Sequence, residues 1–226
     1  MTASAAGGSA RPPALPRLHV VTDDGVLGRA RFPRDAAAVL DSGGRDLALH
    51  VRGPHLDGGT VYRLVCDLLV RARAAGAQLF VNDRVDVALV AGADGAHLGR
   101  RSLPPRAARR VLGAGTRVGV SVHDPSAARS AAADGADFAF LGTIYDTPSH
   151  PQGTTTGPST IADAAATAPG LPLLAIGGVT PERVSEVLRF GAYGVAVLGG
   201  VWDAQGPGAA VERYLGALGA RPRARE

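Results

Sequence analysis

Eight short aliphatic runs, separated by segments rich in Ala, Arg and Leu, divide the chain from Leu18 onward. Short aliphatic runs are typical of strands buried in a parallel sheet, and helical segments between them indicate repeated βα units. The predicted strands are Leu18–Asp23, Leu47–Arg52, Leu79–Asp83, Gly95–Gly99, Arg117–His123, Phe138–Ile144, Pro172–Gly178 and Gly194–Gly200. Eight units in one chain predict an α/β fold, a single-domain (β/α)8 TIM barrel.

Helix signals occur between the predicted strands. Predicted helices include Asp35–Ser42, Tyr62–Ala75, Pro104–Leu112 and Pro181–Phe190. Asp124-Pro125 and Thr180-Pro181 each place a capping side chain before a proline at the first helical position. Glycines that would take positive φ at helix ends are Gly76, Gly92, Gly135 and Gly191. An open doubly wound sheet is the structural alternative, but Thr22-Asp23-Asp24-Gly25 does not supply its usual dinucleotide-binding loop.

The basic residues exclude one class of chemistry. All 24 are arginine, so a Schiff-base mechanism, which requires a lysine amine, is impossible. The net charge is only +4 and the arginines are interspersed with carboxylates, which does not indicate nucleic-acid binding. Aromatic residues make up 4% of the chain, so Ala, Val, Leu and Ile must fill the core.

The two ends of the chain differ from its centre. Residues 1–16 are mostly Ala, Gly, Ser and Pro and are predicted to be a disordered leader; 219–226 are predicted to be a disordered tail, with the barrel over 17–218. The leader has no apolar segment of a secretory signal, and no apolar run is long enough to cross a bilayer. We therefore expect a cytoplasmic protein without a membrane partner.

Strand alternation brings five polar residues to one end of the barrel. In the second strand Leu47, Leu49 and Val51 face the helices, so the opposite side chains face the barrel axis. The same alternation in the third and fifth strands predicts a polar set consisting of His50, Arg52, Asn82, Ser121 and His123. Active sites of (β/α)8 barrels lie at this carboxyl end of the strands. His97 is expected to be a packing residue, and His19 and His55 are expected to be solvated.

Two Gly-Gly pairs end the seventh and eighth predicted strands. They are Gly177-Gly178 and Gly199-Gly200. Loops after these two strands commonly bind phosphate in barrels, because backbone N–H groups can approach the anion closely. The pairs therefore favour a small phosphorylated substrate.

These residues belong to a longer series of motifs that resembles the thiamine phosphate synthase superfamily, including its TenI-type thiazole tautomerases. The resemblance runs from Leu18 to about Tyr214. The matching segments are Val20–Asp23, His50–Arg52, Val81–Asp86, Gly92–Gly99, Gly119–His123, Leu141–Thr147, Ala175–Pro181 and Gly194–Val197. The resemblance implies a barrel enzyme of thiamine biosynthesis.

The synthase of this superfamily joins an aminopyrimidine pyrophosphate to a thiazole phosphate with Mg²⁺. The resemblance makes Asp83 the first metal carboxylate. The second is expected in a Gly-Gln-Glu-Asp motif, where this chain has Gly99-Arg100-Arg101-Ser102, and two expected lysines are replaced by Pro54 and a residue near His150. A serine is a poor substitute for a carboxylate on Mg²⁺. In a non-metal enzyme Asp83 would instead cap the following helix.

The tautomerase aromatises a thiazole phosphate carboxylate by moving a proton, without metal or cofactor. The resemblance favours this activity, with His123 as general acid/base, since the pKa of histidine lies near neutrality. Arg52 would bind the substrate carboxylate, and Gly178, Gly199 and Gly200 the phosphate. The remaining predicted substrate contacts are His50, Asn82, Ser121 and Thr143.

Three hypotheses thus remain: a thiazole tautomerase, an Mg²⁺-dependent thiamine phosphate synthase, and a barrel that binds a thiamine precursor without catalysis. The loop Tyr145–Gly157 would be either a lid or a flexible connection. Small barrels often form homo-oligomers, but the sequence shows no contiguous apolar patch that would define such an interface.

Overall fold

The computed structural model describes residues 14–148 and 154–219, and these residues form a closed barrel of eight parallel strands. The strands are β1 (Leu18–Val21), β2 (Leu47–Val51), β3 (Gln78–Asn82), β4 (Gly95–Leu98), β5 (Arg117–Val122), β6 (Phe138–Leu141), β7 (Leu173–Ile176) and β8 (Gly194–Val197). Each strand pairs with its chain neighbour, and β8 closes the barrel against β1. The predicted (β/α)8 fold is confirmed.

Helices cover the outside of the barrel. They are α1 (Asp24–Leu27), α2 (Phe32–Gly43), α3 (Gly58–Ala75), α4 (Val85–Ala91), α5 (Pro105–Leu112), α6 (Pro125–Ala133), α7 (Ser159–Thr167), α8 (Val184–Arg189), α9 (Gly199–Trp202) and α10 (Pro207–Ala217), with 3₁₀ turns at Gly44–Asp46 and Pro181–Arg183. The predicted strands extend one to three residues too far, and Gly199 and Gly200 begin α9 rather than ending β8.

The helix-end predictions mostly hold. Gly76, Gly92, Gly135 and Gly191 all have φ between 68° and 97°, the left-handed region that glycine enters without steric cost. The Asp124 side chain accepts a hydrogen bond from the Ala127 N–H and caps α6. Thr180 does occupy the N-cap position before Pro181, but its side chain makes no capping hydrogen bond, and a 3₁₀ turn precedes α8.

Two apolar clusters hold the barrel together. The larger lies between strands and helices and contains the aliphatic side chains that the alternation assigned to the outer face. The smaller fills the barrel interior around Phe80, Phe138 and Phe140. Glycines make room for these rings: a Cβ at Gly95 would lie 2.4 Å from Phe80, and one at Gly119 would lie 2.2 Å from Phe138. Three of the ten aromatic residues thus fill the barrel axis.

Residues 14–16, which the sequence assigned to the leader, pack against the amino-terminal end of the barrel. The Leu15 side chain is buried in the interior cluster. The Ala14 carbonyl accepts from Gln78 Nε2 at 2.8 Å, and the Tyr193 hydroxyl donates to the Leu15 carbonyl at 2.5 Å. The rest of the predicted leader, 1–13, and the tail from 220 lie outside the described residues.

Candidate active site

A cavity of about 1020 Å³ opens at the carboxyl ends of the strands. Eight of the nine predicted catalytic and substrate-binding residues line it: Arg52, Asn82, Ser121, His123, Thr143, Gly178, Gly199 and Gly200. The ninth, His50, is fully buried beneath the cavity, where its Nδ1 lies 3.3 Å from the Asn82 amide oxygen. Strand alternation therefore predicted residues that line the cavity, although it could not say how deep each side chain lies.

His123 lies at the cavity wall where β5 ends, and it is exposed. Its Nδ1 contacts the carbonyl oxygen of Gly142. A carbonyl oxygen can only accept, so Nδ1 carries the proton and Nε2 of the neutral ring has a free lone pair. This is the tautomer that a general base in a cavity requires.

Polar and aromatic groups form the floor of the cavity. His97 is 1% exposed, stacks on Phe140 at 4.0 Å between ring centroids, and places Nε2 2.9 Å from Ser121 Oγ. Burial, reinforced by the nearby His50 and Arg52, holds the pKa of His97 well below its usual value. His97 is therefore a neutral packing residue that positions Ser121, in agreement with its expected role.

His19 differs from its sequence-based prediction. It was expected to be solvated, but it is fully buried in the barrel interior, with Nδ1 2.8 Å from His50 Nε2. β1 is buried along its whole length, so neither of its faces reaches solvent. His55 does match the expectation, because its side chain is 88% exposed and contacts Asp24 at 2.7 Å.

The glycine loops after β7 and β8 bring backbone close to the cavity. Gly177 and Gly178 have φ of 95° and 63°, and a Cβ on Gly178 would lie 2.4 Å from the Asp146 carbonyl oxygen. A Cβ on Gly200 would lie 2.2 Å from the Tyr214 hydroxyl. Glycine is thus required on steric grounds at both predicted phosphate loops.

Arginines surround the mouth of the cavity. Those that line it are Arg52, Arg84, Arg100, Arg101 and Arg183. Arg183 was not predicted; it donates to the Gly178 carbonyl at 2.8 Å and stacks over the Tyr145 ring at 4.4 Å. Its position just after Pro181, in the loop that follows β7, was the available signal. Such a concentration of guanidinium groups suits an anionic ligand.

Asp83 does not cap α4, because that helix begins after Arg84. It has a φ of 63°, and its Oδ1 accepts from the Gly99 N–H at 2.8 Å and from the Ser102 hydroxyl. Asp83 therefore holds the loop after β4 in place. A left-handed aspartate is uncommon but tolerated, and here two hydrogen bonds favour it.

The same contact tests the fit of the Mg²⁺ that the synthase resemblance implies. Ser102, in the motif position of the second carboxylate, is a hydrogen-bond donor to the first. Across 14–148 and 154–219, no three His, Cys, Asp or Glu side chains are grouped closely enough to hold a metal ion. One carboxylate already engaged by two donors is a weaker Mg²⁺ site than the two-carboxylate pattern, so the residues present fit the ion poorly.

The loop after β6 is partly described. Backbone bonds join the Thr156 N–H to the Thr143 carbonyl at 2.9 Å and the Gly157 N–H to the Ile144 carbonyl at 3.2 Å. Residues 149–153 lie outside the described part of the chain, so the lid and flexible-connection alternatives both stay predictions. In the described chain, no helix combines the length and hydropathy needed for a membrane span.

The fold is that of a (β/α)8-barrel protein with a large cavity at the carboxyl ends of the strands. The family model described as thiamine monophosphate synthase matches residues 18–201. The chain belongs to this family, whose members are enzymes of thiamine biosynthesis.

Individual relatives agree with the family. A thiamine-phosphate synthase of Methanoculleus marisnigri is 40% identical over 185 residues, which is 81% of this chain and 86% of the relative. One from Chromobacterium violaceum is 39% identical, over 93% of this chain and 100% of the relative. The solved thiamine phosphate pyrophosphorylase from Pyrococcus furiosus superposes with a TM-score of 0.79 and 28% identity, covering 90% of this chain and 95% of its own.

Proposed function

We propose that this protein is a thiazole tautomerase of the thiamine monophosphate synthase family. The observation that carries the proposal is the hydrogen bond from Ser102 to Asp83. This hydrogen bond within the loop stands where the pattern expects a pair of carboxylates for Mg²⁺. A proton transfer within one substrate needs neither that ion nor a pyrophosphate site.

His123 is the proposed general acid/base. In the reaction a C–H bond of the non-aromatic thiazole breaks, the double bonds shift to complete the aromatic ring, and a proton returns at another carbon. Atoms and electrons balance without a co-reactant. The Gly142 carbonyl holds Nδ1–H, which leaves Nε2 to take the proton and return it.

The other cavity residues have binding roles in this proposal. Arg52 binds the substrate carboxylate, because guanidinium and carboxylate match in charge and geometry. The backbone at Gly178, Gly199 and Gly200 binds the phosphate. Ser121 and Thr143 contact the substrate, and Asn82, supported from below by His50, orients the ring.

Thiamine phosphate synthase is the second candidate, and the names of the relatives favour it. Proteins 36–40% identical to this chain are named thiamine-phosphate synthase. In that activity Asp83 would hold Mg²⁺, which would neutralise the pyrophosphate leaving group, and the arginines at the mouth would supply the remaining positive charge. Both candidates would act in the cytoplasm on small phosphorylated precursors.

One pair of assays separates the candidates. The purified chain is mixed with the non-aromatic thiazole phosphate carboxylate in EDTA, and aromatisation is followed by ultraviolet absorbance. A second sample contains both synthase substrates and Mg²⁺. Fast aromatisation in EDTA supports the tautomerase, and its absence refutes it. Turnover of neither substrate set, with thiazole phosphate still bound, would identify a non-catalytic binding barrel.

The variant Asp83→Asn further separates a tautomerase from an Mg²⁺-dependent synthase. The asparagine side chain keeps an acceptor oxygen for Gly99 and Ser102 but lacks the charge that a metal needs. A tautomerase should keep its rate within about fivefold, because the asparagine oxygen still accepts from both loop donors and a weakened hydrogen bond at the loop changes the free energy by about 1 kcal/mol. A synthase should lose its Mg²⁺-dependent turnover.

A further inference from the structure

A chain of hydrogen bonds runs along the barrel interior, from the amino-terminal end to the cavity. His19 Nε2 lies 3.0 Å from the Pro16 carbonyl oxygen, and His19 Nδ1 lies 2.8 Å from His50 Nε2. His50 Nδ1 lies 3.3 Å from the amide oxygen of Asn82, which lines the cavity. Both histidines are 0% exposed, so water offers them no alternative partners.

The carbonyl oxygen of Pro16 determines which atom donates and which accepts in each of these hydrogen bonds. A carbonyl oxygen can only accept, so His19 Nε2 must carry a proton. A neutral imidazole has one N–H group, so His19 Nδ1 is an acceptor and His50 Nε2 must be the donor. The single proton of neutral His50 is then on Nε2, and its Nδ1 is a bare acceptor.

Both rings are neutral at pH 7. Burial lowers the pKa of His50 to about 3, and burial together with the neighbouring His50 lowers that of His19 well below its usual value. The surroundings agree with this, because His50 stacks on Phe80 at 4.9 Å and has the His97 ring at 5.5 Å. Arg117 and Arg52 also disfavour positive charge in this histidine cluster.

Because His50 Nδ1 is an acceptor, the Asn82 amide must present a donor to it. With its oxygen toward the bare Nδ1 of His50, two acceptors would face each other without a proton between them. A half-turn of the amide exchanges its oxygen and nitrogen within the same outline, so that Nδ2 donates to His50. We infer that His19 and His50 are positioning residues that hold the Asn82 amide with its NH₂ group toward His50 and its carbonyl oxygen toward the cavity.

This orientation makes position 82 a hydrogen-bond acceptor for the ligand. A bound heterocycle should present an N–H or O–H donor there. A ligand that places its own acceptor at this point would leave both groups unpaired in a desolvated site, which costs binding energy. The inference concerns the cavity itself. Of the two reactions considered above, the synthase supplies such a donor in the amino group of its aminopyrimidine, whereas the ionised thiazole phosphate carboxylate has no N–H or O–H group.

Nitrogen-15 NMR of the histidine rings tests the inference directly, without any ligand. In the wild-type protein both His19 and His50 should show the Nε2–H tautomer, and a hydrogen-bond coupling should join an Asn82 NH₂ proton to His50 Nδ1. A proton on His50 Nδ1, whether in the other neutral tautomer or in an imidazolium, would overturn the inference.

Two variants of His19 test whether this residue fixes the tautomer of His50. In His19→Phe the His50 Nε2–H has no acceptor, so His50 should change to the Nδ1–H tautomer and turn the Asn82 oxygen toward itself. In His19→Gln the new side chain can donate to Pro16 and accept from His50, so the wild-type tautomer should return. An unchanged His50 tautomer in His19→Phe would contradict the proposed role; should that variant not fold, the wild-type spectrum still decides.

Enzyme kinetics add a readout that rests on the second candidate function, because the aminopyrimidine carries the N–H donor. In the synthase reaction His19→Phe should raise the KM for the aminopyrimidine substrate about tenfold, the effect of one lost hydrogen bond, and His19→Gln should restore it. A rise in both variants would indicate a packing defect rather than a change of polarity. Because the NMR measurement uses no substrate, failure of the proposed reaction and failure of this inference are distinguishable.

Discussion

His123 and the buried histidines of the barrel, His19, His50 and His97, belong to the same residue type but lie in opposite environments. His123 is exposed at the cavity mouth. The other three are at most 1% exposed and lie among Phe80, Phe138 and Phe140. Burial lowers the pKa of each of the three.

If His123 is the general acid/base, depth along the barrel axis separates the histidine that does chemistry from those that position their neighbours. A buried imidazole that stays neutral cannot exchange protons at neutral pH, but it can impose a fixed hydrogen-bond direction on its neighbours. His123, exposed and anchored through Nδ1 to the Gly142 carbonyl, instead leaves Nε2 open to a ligand in the cavity. The comparison predicts that variants at the mouth change the rate, whereas the buried layer controls stability and orientation.

The largest expected effect is that of His123→Ala. Removing a general acid/base lowers turnover by about 10²- to 10⁴-fold, while circular dichroism should remain unchanged because the side chain is exposed. His55→Ala is the matched control, since it removes another exposed histidine and should keep the wild-type rate. A His123→Ala rate within about threefold of the wild type would refute the catalytic role.

The buried histidines should make the protein sensitive to mild acid. Their pKa values are depressed in the folded state, so between about pH 6.5 and 5 the unfolded chain binds protons that the folded chain does not. Stability is therefore full above about pH 6.5 and falls as pH decreases, by about 1.4 kcal/mol per pH unit for each such histidine. Urea unfolding at pH 7, 6 and 5 measures this.

His50→Gln tests how much one buried histidine contributes to the dependence of the unfolding free energy on pH. It removes one of the buried titrating groups and should make the dependence of the unfolding free energy on pH shallower by about 1.4 kcal/mol per pH unit. Ordinary carboxylates stay ionised above about pH 5, so they contribute little in this window. A free energy of unfolding that is constant from pH 7 to 5 would show that the buried rings titrate normally.

Gly178→Ala should act on stability and on substrate binding, with a smaller effect on turnover than that of His123→Ala. Its φ of 63°, together with the Asp146 carbonyl oxygen 2.4 Å from where the new Cβ would lie, predicts a loss of about 1–3 kcal/mol of stability and a higher KM for the phosphorylated substrate. Gly216→Ala is the control, because its Cβ would meet nothing within 4 Å in helix α10. That change should stabilise the protein by about 0.5–1 kcal/mol. Equal thermal shifts for the two variants would contradict the steric argument.

Strand alternation predicted much of the candidate active site, but not how deep each side chain lies along the barrel axis. His50 and Arg52 lie on one face of β2, and alternation places both on the barrel axis. Only the structure shows that Arg52 lines the cavity while His50 lies below it. Arg183 was missed because it lies beyond a strand end, where periodicity gives no information.

Local sequence patterns were enough to predict the barrel, the axis-facing residues of β2, β3 and β5, and the glycine positions in its loops. These features depend on periodicity and on backbone conformations that a single residue type allows, so neighbouring residues reveal them. The burial of His19 against His50, and the hydrogen bond from Ser102 to Asp83, became visible only in the folded chain. Both contacts join residues 19 or more positions apart, and the parallel pairing of neighbouring strands, β1 with β2 and β3 with β4, brings them together.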